Sequence, residues 1–226
     1  MRLPVLPVAL LIALASTAWA EAPNLSRNQV GEAGAVSRLI QAQRAYEEAL
    51  ESGDPVVLIG AIRLAREVTL RAPVGWAKST AGDPVPDAPE GKATAPDPAG
   101  PRAIAIAQGL AGEDPDLQDL VYDLDAQLPH GRRPTAINAT ATLDPGQTDS
   151  WTLVLAGESA AEIGLIGDGD TDLDLTIADE TGAPVCARPA AKGPVLCRFT
   201  PARNGFFTAT VRNPGLVRNS YRLVGN

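Results

Sequence analysis

Apolar residues follow two different rhythms along this chain, and the change-over falls near residue 130. From residue 26 to about 52 the spacing is helical: Val36, Leu39, Ile40, Tyr46 and Leu50 fall on one stripe, interrupted only by Gln43. Gly53-Asp54-Pro55 follows. Gly takes the positive φ that ends a helix, Asp accepts hydrogen bonds from the next helix's free N–H groups, and Pro fits its first turn. A second helix is predicted to about Arg71, with Val57, Ala61, Ile62, Leu64, Ala65 and Val68 apolar.

The same grammar recurs over 102–128. ALESGDPVVLIGAIRLA (49–65) sets beside GLAGEDPDLQDLVYDLD (109–125) without a gap, matching Leu50 with Leu110, Asp54 with Asp114, Pro55 with Pro115 and Leu64 with Leu124. One helical hairpin buries too little apolar surface to stand alone, so the two are expected to form a small four-helix unit over 26–129. Between them lies a Pro/Ala-rich stretch, 72–101, with few large apolar residues. Its composition predicts a mobile, partly polyproline loop, with Trp76 docking on the neighbouring helices.

From Thr135 the alternation becomes period two. SWTLVLA puts Trp151, Leu153 and Leu155 on one face, and TDLDLTIAD does the same with Leu173, Leu175 and Ile177. AEIGLIG, PVLCRFT, GFFTATV and SYRLVG read alike, with turn signals such as Asp144-Pro145-Gly146 and Asn213-Pro214-Gly215 between strands. Seven or eight short antiparallel strands at this spacing predict a β-sandwich or jelly roll over 135–226. The expected fold class is therefore α+β multidomain: N-terminal helical hairpins, then a C-terminal all-β sandwich.

Four motifs of the second half occur in order: LDPGQTDSWTLVL, DLDLTIADETG, NGFFTATVRN and SYRLV. Together they resemble the bacterial pre-peptidase C-terminal domain. The matching positions are Gly146, Asp149 and Trp151; Asp172, Leu173, Asp174 and Leu175; Gly182; Gly205 and Phe207; Tyr221 and Leu223. The resemblance covers the sandwich only. It implies a jelly roll attached to secreted bacterial proteins, often proteases, and associated with secretion, substrate adhesion or removal during maturation. The residues before it carry no protease motif, and DLDLTI lacks the aromatic common after the second leucine in that family.

The N-terminus, MRLPVLPVALLIALASTAWA, joins a basic Arg2, a short apolar run and the small-x-small Ala18-Trp19-Ala20. That pattern predicts a signal peptide over 1–20, cleaved between Ala20 and Glu21, and a periplasmic or secreted product. No cysteine follows the cleavage site and no later stretch is apolar enough to span a membrane, so neither a lipid anchor nor a span is expected in the mature chain. The full chain carries a net charge of −8. Losing Arg2 makes the mature chain one unit more negative. Nucleic acid and anionic lipid are poor partners for such a chain, because both are bound through Lys and Arg.

Two cysteines, Cys186 and Cys197, lie close together near the C-terminus. In an exported chain they read as a disulfide, here expected between adjacent antiparallel strands, with two buried free thiols as the alternative. Two cysteines and a lone His130 in a turn-rich connector do not make a zinc site.

GDGDTDLDLTIADETG (167–182) places Asp168, Asp170, Asp172 and Asp174 at alternate positions. An EF-hand loop starting at Asp168 would need Gly and Glu where Leu173 and Asp179 stand. Two readings are left. A strand with one wet face, its aspartates solvated, is favoured. A calcium site on these four aspartates is the second, because a hard cation would relieve their mutual repulsion. No other cofactor is expected.

The chain has no G-x-S-x-G, H-E-x-x-H, phosphate-binding glycine loop or dinucleotide fingerprint, and its single histidine leaves no obvious base. The expected function is a non-catalytic binding or adaptor protein of a bacterial cell envelope. Its partner is an unknown protein or polysaccharide. An accessory to a secreted hydrolase, a hydrolase working through carboxylates alone, and a purely structural envelope protein are the competing classes.

Overall fold

A computed structural model describes residues 22–28, 31–91, 94–126, 133–191 and 193–226. The expected leader with its Ala20–Glu21 boundary, and His130, lie outside the described residues. The elements run in chain order as α1 (Ala35–Ser52), α2 (Pro55–Arg66), β1 (Thr69–Arg71), β2 (Ala77–Ala81), α3 (Pro101–Ala111) and α4 (Pro115–Ala126), followed by β3 (Thr135–Leu143), β4 (Thr148–Leu155), β5 (Ala161–Gly167), β6 (Leu173–Ala178), β7 (Pro184–Ala191), β8 (Val195–Phe199), β9 (Gly205–Arg212) and β10 (Asn219–Gly225). Among the described residues no helix is long and apolar enough to cross a membrane.

The first helix starts at Ala35, nine residues later than its pattern suggested. Gly31 adopts φ +92, which interrupts any helix, and the preceding residues are bound to the sandwich instead. The Ser26 N–H donates to the Thr200 carbonyl at 2.8 Å, and the fully buried Asn24 side chain accepts from the Arg203 N–H at 2.9 Å. The α1–α2 corner forms as its chemistry demands: Gly53 takes φ 68, and Asp54 Oδ1 accepts from the Val56 and Val57 N–H groups. Asp114 repeats that cap for α4, accepting from the Asp116 and Leu117 N–H groups at 3.0 and 3.2 Å. The internal repeat is thus a repeated Asp-Pro helix start. The two hairpins do pack together: Tyr46, Leu58, Ile62, Ile104, Val121 and Leu124 share one core drawn from all four helices.

The β-strands make two five-stranded sheets, ordered β1-β3-β10-β5-β8 and β2-β4-β9-β6-β7. Within 135–226 the eight strands β3–β10 divide four to each sheet in jelly-roll order, successive strands changing sheet except β6 and β7, which pair as a hairpin. All their pairings are antiparallel; β1 joins β3 in parallel. The inward faces of both sheets form the main core, including Leu153, Ile163, Leu175, Phe207, Tyr221 and Leu223.

The stretch 72–101 departs from its expected character as a structureless loop. It contributes β2, which pairs with β4 from Ala77↔Thr152 to Ala81↔Thr148, while β1 just before it extends the other sheet. Trp76 sits between these two edge strands and packs on the sandwich core rather than on the helices. Its ring meets Trp151 edge-on at 6.3 Å. A segment too poor in apolar residues to form a core can still be ordered by adding to a sheet that has one.

Further along, β2 feeds a buried polar chain. Asp149, with no exposed surface, is bonded by Lys78 Nζ (3.1 Å), the Thr80 hydroxyl and the Tyr221 hydroxyl, and Trp151 Nε1 donates to Tyr221 at 2.8 Å. Burial, then the bond to Asp149, pushes the Tyr221 phenol far above its usual range, so it stays a donor. Asp149, Trp151 and Tyr221, three positions of the resemblance motifs, therefore join the two sheets to the linker strand.

The helical unit sits on the first sheet. Val36, Leu39 and Ile40 of α1 pack with Val68, Ile166 and Val224. Gly164 permits the approach: a Cβ there would meet Ile40 Cδ1 and Val224 Cγ2 at 2.9 Å. The buried Glu162 of β5 receives the helix end. Its carboxylate accepts from the Gly34 N–H (2.9 Å), the Ser37 N–H (3.1 Å) and the Ser37 hydroxyl (2.6 Å). One acidic side chain of the sandwich thus caps a helix of the other unit.

Candidate functional site: an acidic cleft between the two units

The cleft between helices and sandwich has a volume of about 1200 Å³. Three parts of the chain frame it: the end of α1, the 94–102 stretch with α3, and the sandwich turns after β5, β7 and β9. Among the described residues six carboxylates line it, from Glu47, Glu51, Asp97, Asp168, Asp170 and Asp172, and one guanidinium, from Arg102.

Several of these acids are held in place. Asp168 Oδ2 accepts from the Ser220 N–H at 2.6 Å and its Oδ1 from the Asp170 N–H at 3.0 Å, which fixes the turn after β5. Asp97 pairs with Arg222 at 3.3 Å. Glu47 accepts from Gln43 Nε2 at 2.9 Å, and a Cβ on Gly193 would lie 3.2 Å from its other oxygen. Glu47 therefore reaches from α1 to the turn after β7. Burial raises its carboxyl above the usual range, Gln43 opposes the shift and nearby Glu51 adds to it. Beneath it Gln43 is fully buried with its Oε1 unpaired. Tyr46, on the same wall, is also raised, by burial first, with Arg102 lowering and Asp97 raising it.

The aspartate run divides between two environments. Asp168, Asp170 and Asp172 face the cleft. Asp174 points to the outer face of its sheet, opposite the buried Leu173 and Leu175, and lies 3.9 Å from Arg212. The four do not converge, and among the described residues no three His, Cys, Asp or Glu side chains cluster as metal ligands would. Cys186 and Cys197 are joined, with Cα atoms 5.9 Å apart. The bond crosses the sandwich rather than linking neighbours in one sheet, since β7 and β8 belong to different sheets. The sequence pattern hid this because the turn between them changes sheet.

Glu47, Glu51, Asp97 and Arg102 carried no sequence signal. They lie on exposed-looking helix or loop positions, and only the docking of the two units brings them opposite the aspartate turn.

No family model matches the chain. No curated protein matches it either. Among solved structures it is similar to the pre-peptidase C-terminal domain of a collagenase from Bacillus anthracis. The identity there is 17%, over 38% of this chain and 86% of that one, with a TM-score of 0.34. It is also similar to a periplasmic inhibitor of g-type lysozyme from Aeromonas hydrophila, at 10% identity over 40% of this chain and 84% of that one, TM-score 0.31. The first of these is the likeness that the four sandwich motifs implied.

Proposed function

We propose that this chain is an exported binding protein of the bacterial envelope, without catalytic activity, whose cleft receives a cationic segment of a protein partner. The observation that carries this reading is the lining: among the described residues, six carboxylates against one arginine in a cleft of about 1200 Å³. A recess lined by one sign of charge with protein walls focuses its field and draws in the opposite sign. Glu51 and Asp172 make no hydrogen bond within the described protein, so their oxygens are open to a ligand's ammonium or guanidinium groups. The test uses a fluorescein-labelled octalysine. Anisotropy should rise with protein at low salt and fall back as salt is added. The double variant Glu51→Gln/Asp172→Asn should weaken the binding at least several-fold. Absence of binding at low salt, or equal binding by the variant, overturns the reading.

A second reading rests on Glu47. A carboxyl raised above its usual range, facing carboxylates across a cleft, is the pairing that acid–base hydrolysis uses. Turnover of a glycan or ester by the purified protein, lost in Glu47→Gln, would favour the hydrolase.

A further inference from the structure

The sandwich has a second surface with a chemistry of its own. The outer face of the β1-containing sheet is covered by α1, while among the described residues no helix packs in this way on that of the β2-containing sheet. On it the strand registers bring hydroxyls into ranks. Ser79 of β2 stands opposite Ser150 of β4, Ser150 opposite Thr210 of β9, and Thr210 opposite Thr176 of β6. The next rank pairs Thr152 with Thr208. A third pairs Val154 with Phe206, two apolar side chains each 61% exposed.

Adjacent strands lie about 4.8 Å apart and same-face residues about 6.8 Å apart along a strand, so this is a regular lattice of hydroxyls ending in an apolar platform. None of the six hydroxyls bonds to another side chain or to backbone among the described residues. Each can both donate and accept. The charges of the described residues near the lattice are paired: Asp174 stands opposite Arg212, and beside the Phe206 end Glu180 pairs with Arg203 at 2.7 Å. In a chain where 20% of residues are charged, a neutral face of this size selects against charged ligands.

We infer that this face binds a neutral polysaccharide chain. Ring hydroxyls of an extended glycan find donors and acceptors at each strand crossing, and the C–H face of one sugar lies on Phe206 and Val154. A protein partner would favour a more apolar and less repetitive patch. The inference is independent of the cleft, which lies at the helical side of the sandwich.

Native gel electrophoresis of the full mature chain, in gels cast with hydroxyethylcellulose, laminarin or dextran, tests it; alginate serves as the charged control. At least one neutral glucan should retard the protein, and added salt should leave the retardation unchanged. Phe206→Ala should weaken it at least about tenfold, as loss of an aromatic anchor does. Thr208→Ala/Thr210→Ala should weaken it further. These positions point outward, and an unchanged melting temperature of each variant confirms that it is folded. Glu51→Gln/Asp172→Asn, the cleft variant, should be retarded like the parent. No retardation by any neutral glucan, retardation by alginate alone, or undiminished retardation of the Phe206 variant overturns the inference.

Discussion

Glu162→Ala is the sharpest test of how the two units are joined. The side chain is 1% exposed and gathers three donors from the start of α1. Arg198 stands 3.5 Å from it. Hydrogen bonds to a charged acceptor contribute about 1.5–3 kcal/mol each, but water entering the vacated space recovers much of that. Losing a helix N-cap alone costs about 0.5–2 kcal/mol, and loss of a partly buried anion at a helix N-terminus up to about 2. Together these give about 3 kcal/mol for Glu162→Ala. Glu162→Gln keeps the shape and one acceptor oxygen, so only about 1 kcal/mol is expected. In a chain of this length each kcal/mol moves the midpoint by about 2–4 °C, so the alanine variant should melt roughly 6–12 °C lower. Calorimetry measures the midpoint, and amide exchange shows where the loss acts. Protection should fall in the first turn of α1 and stay unchanged in β6 and β9, which belong to the other sheet. An alanine variant within about 0.5 kcal/mol of the parent, the range of neutral surface changes, would refute the reasoning.

The Cys186–Cys197 bond closes a loop with sequence separation 11, so Cys186→Ala/Cys197→Ala should lose about 3 kcal/mol on a chain-entropy estimate, read from denaturant midpoints. Asp179 has its carboxyl held below the usual range: burial works against the charge, but the Thr181 hydroxyl and the N–H groups of Asn24, Thr181 and Ala183 outweigh it. Its stabilisation is therefore present above about pH 4 and lost as pH falls through the depressed value, so acid unfolding of Asp179→Asn should be flatter there than that of the parent. Glu47 has the opposite sign, its folded carboxyl being raised, so its charge costs stability at neutral pH. Glu47→Gln should melt higher than the parent at pH 7, with the difference vanishing at pH 3. Since the aspartates of 168–174 do not converge, millimolar calcium should leave the melting temperature unchanged; a calcium-dependent rise, lost in Asp170→Ala, would contradict that placement.

The two rhythms of the chain made most of the architecture legible. Burial of Leu173, Leu175 and Ile177 against outward Asp174 and Thr176 follows directly from period-two alternation. The Asp54 and Asp114 caps were equally readable, because a helix start is a local event governed by a few side chains. Illegible were features decided at long range. The 77–81 strand has no apolar face of its own and owes its order to Asp149 and Trp151, some seventy residues away. The helix that begins at Ala35 rather than 26 yields its first residues to the sandwich through Asn24, 155 positions before its partner Asp179. Leu50, read as part of the buried stripe, is instead 44% exposed on the cleft wall, because the stripe is shared between two packing surfaces.

That sharing bears on what the cleft can do. Its walls come from both units, so it exists only while they hold one relative position. Four ties act on that position from different sides. Glu162 caps α1, Gly164 lets Ile40 seat on the sheet, Arg44 donates to the Pro194 carbonyl at 3.1 Å, and Arg222 holds the Pro96 carbonyl at 3.0 Å together with Asp97. The last two lie at the cleft itself, one on the turn after β7 and one on the 94–102 wall. A recess held this way does not have to be ordered by its ligand, so less of the interaction energy is lost to closing it. It also explains why a carboxyl as poorly solvated as Glu47 is tolerated. The fold positions it between α1 and Gly193, and on the proposed function a cation entering the cleft would favour its charged form and return the stability it forfeits at neutral pH. A cationic ligand should therefore bind more weakly below the raised Glu47 value than above it, as protonation removes the charge it meets, and Glu47→Gln should remove that part of the pH dependence.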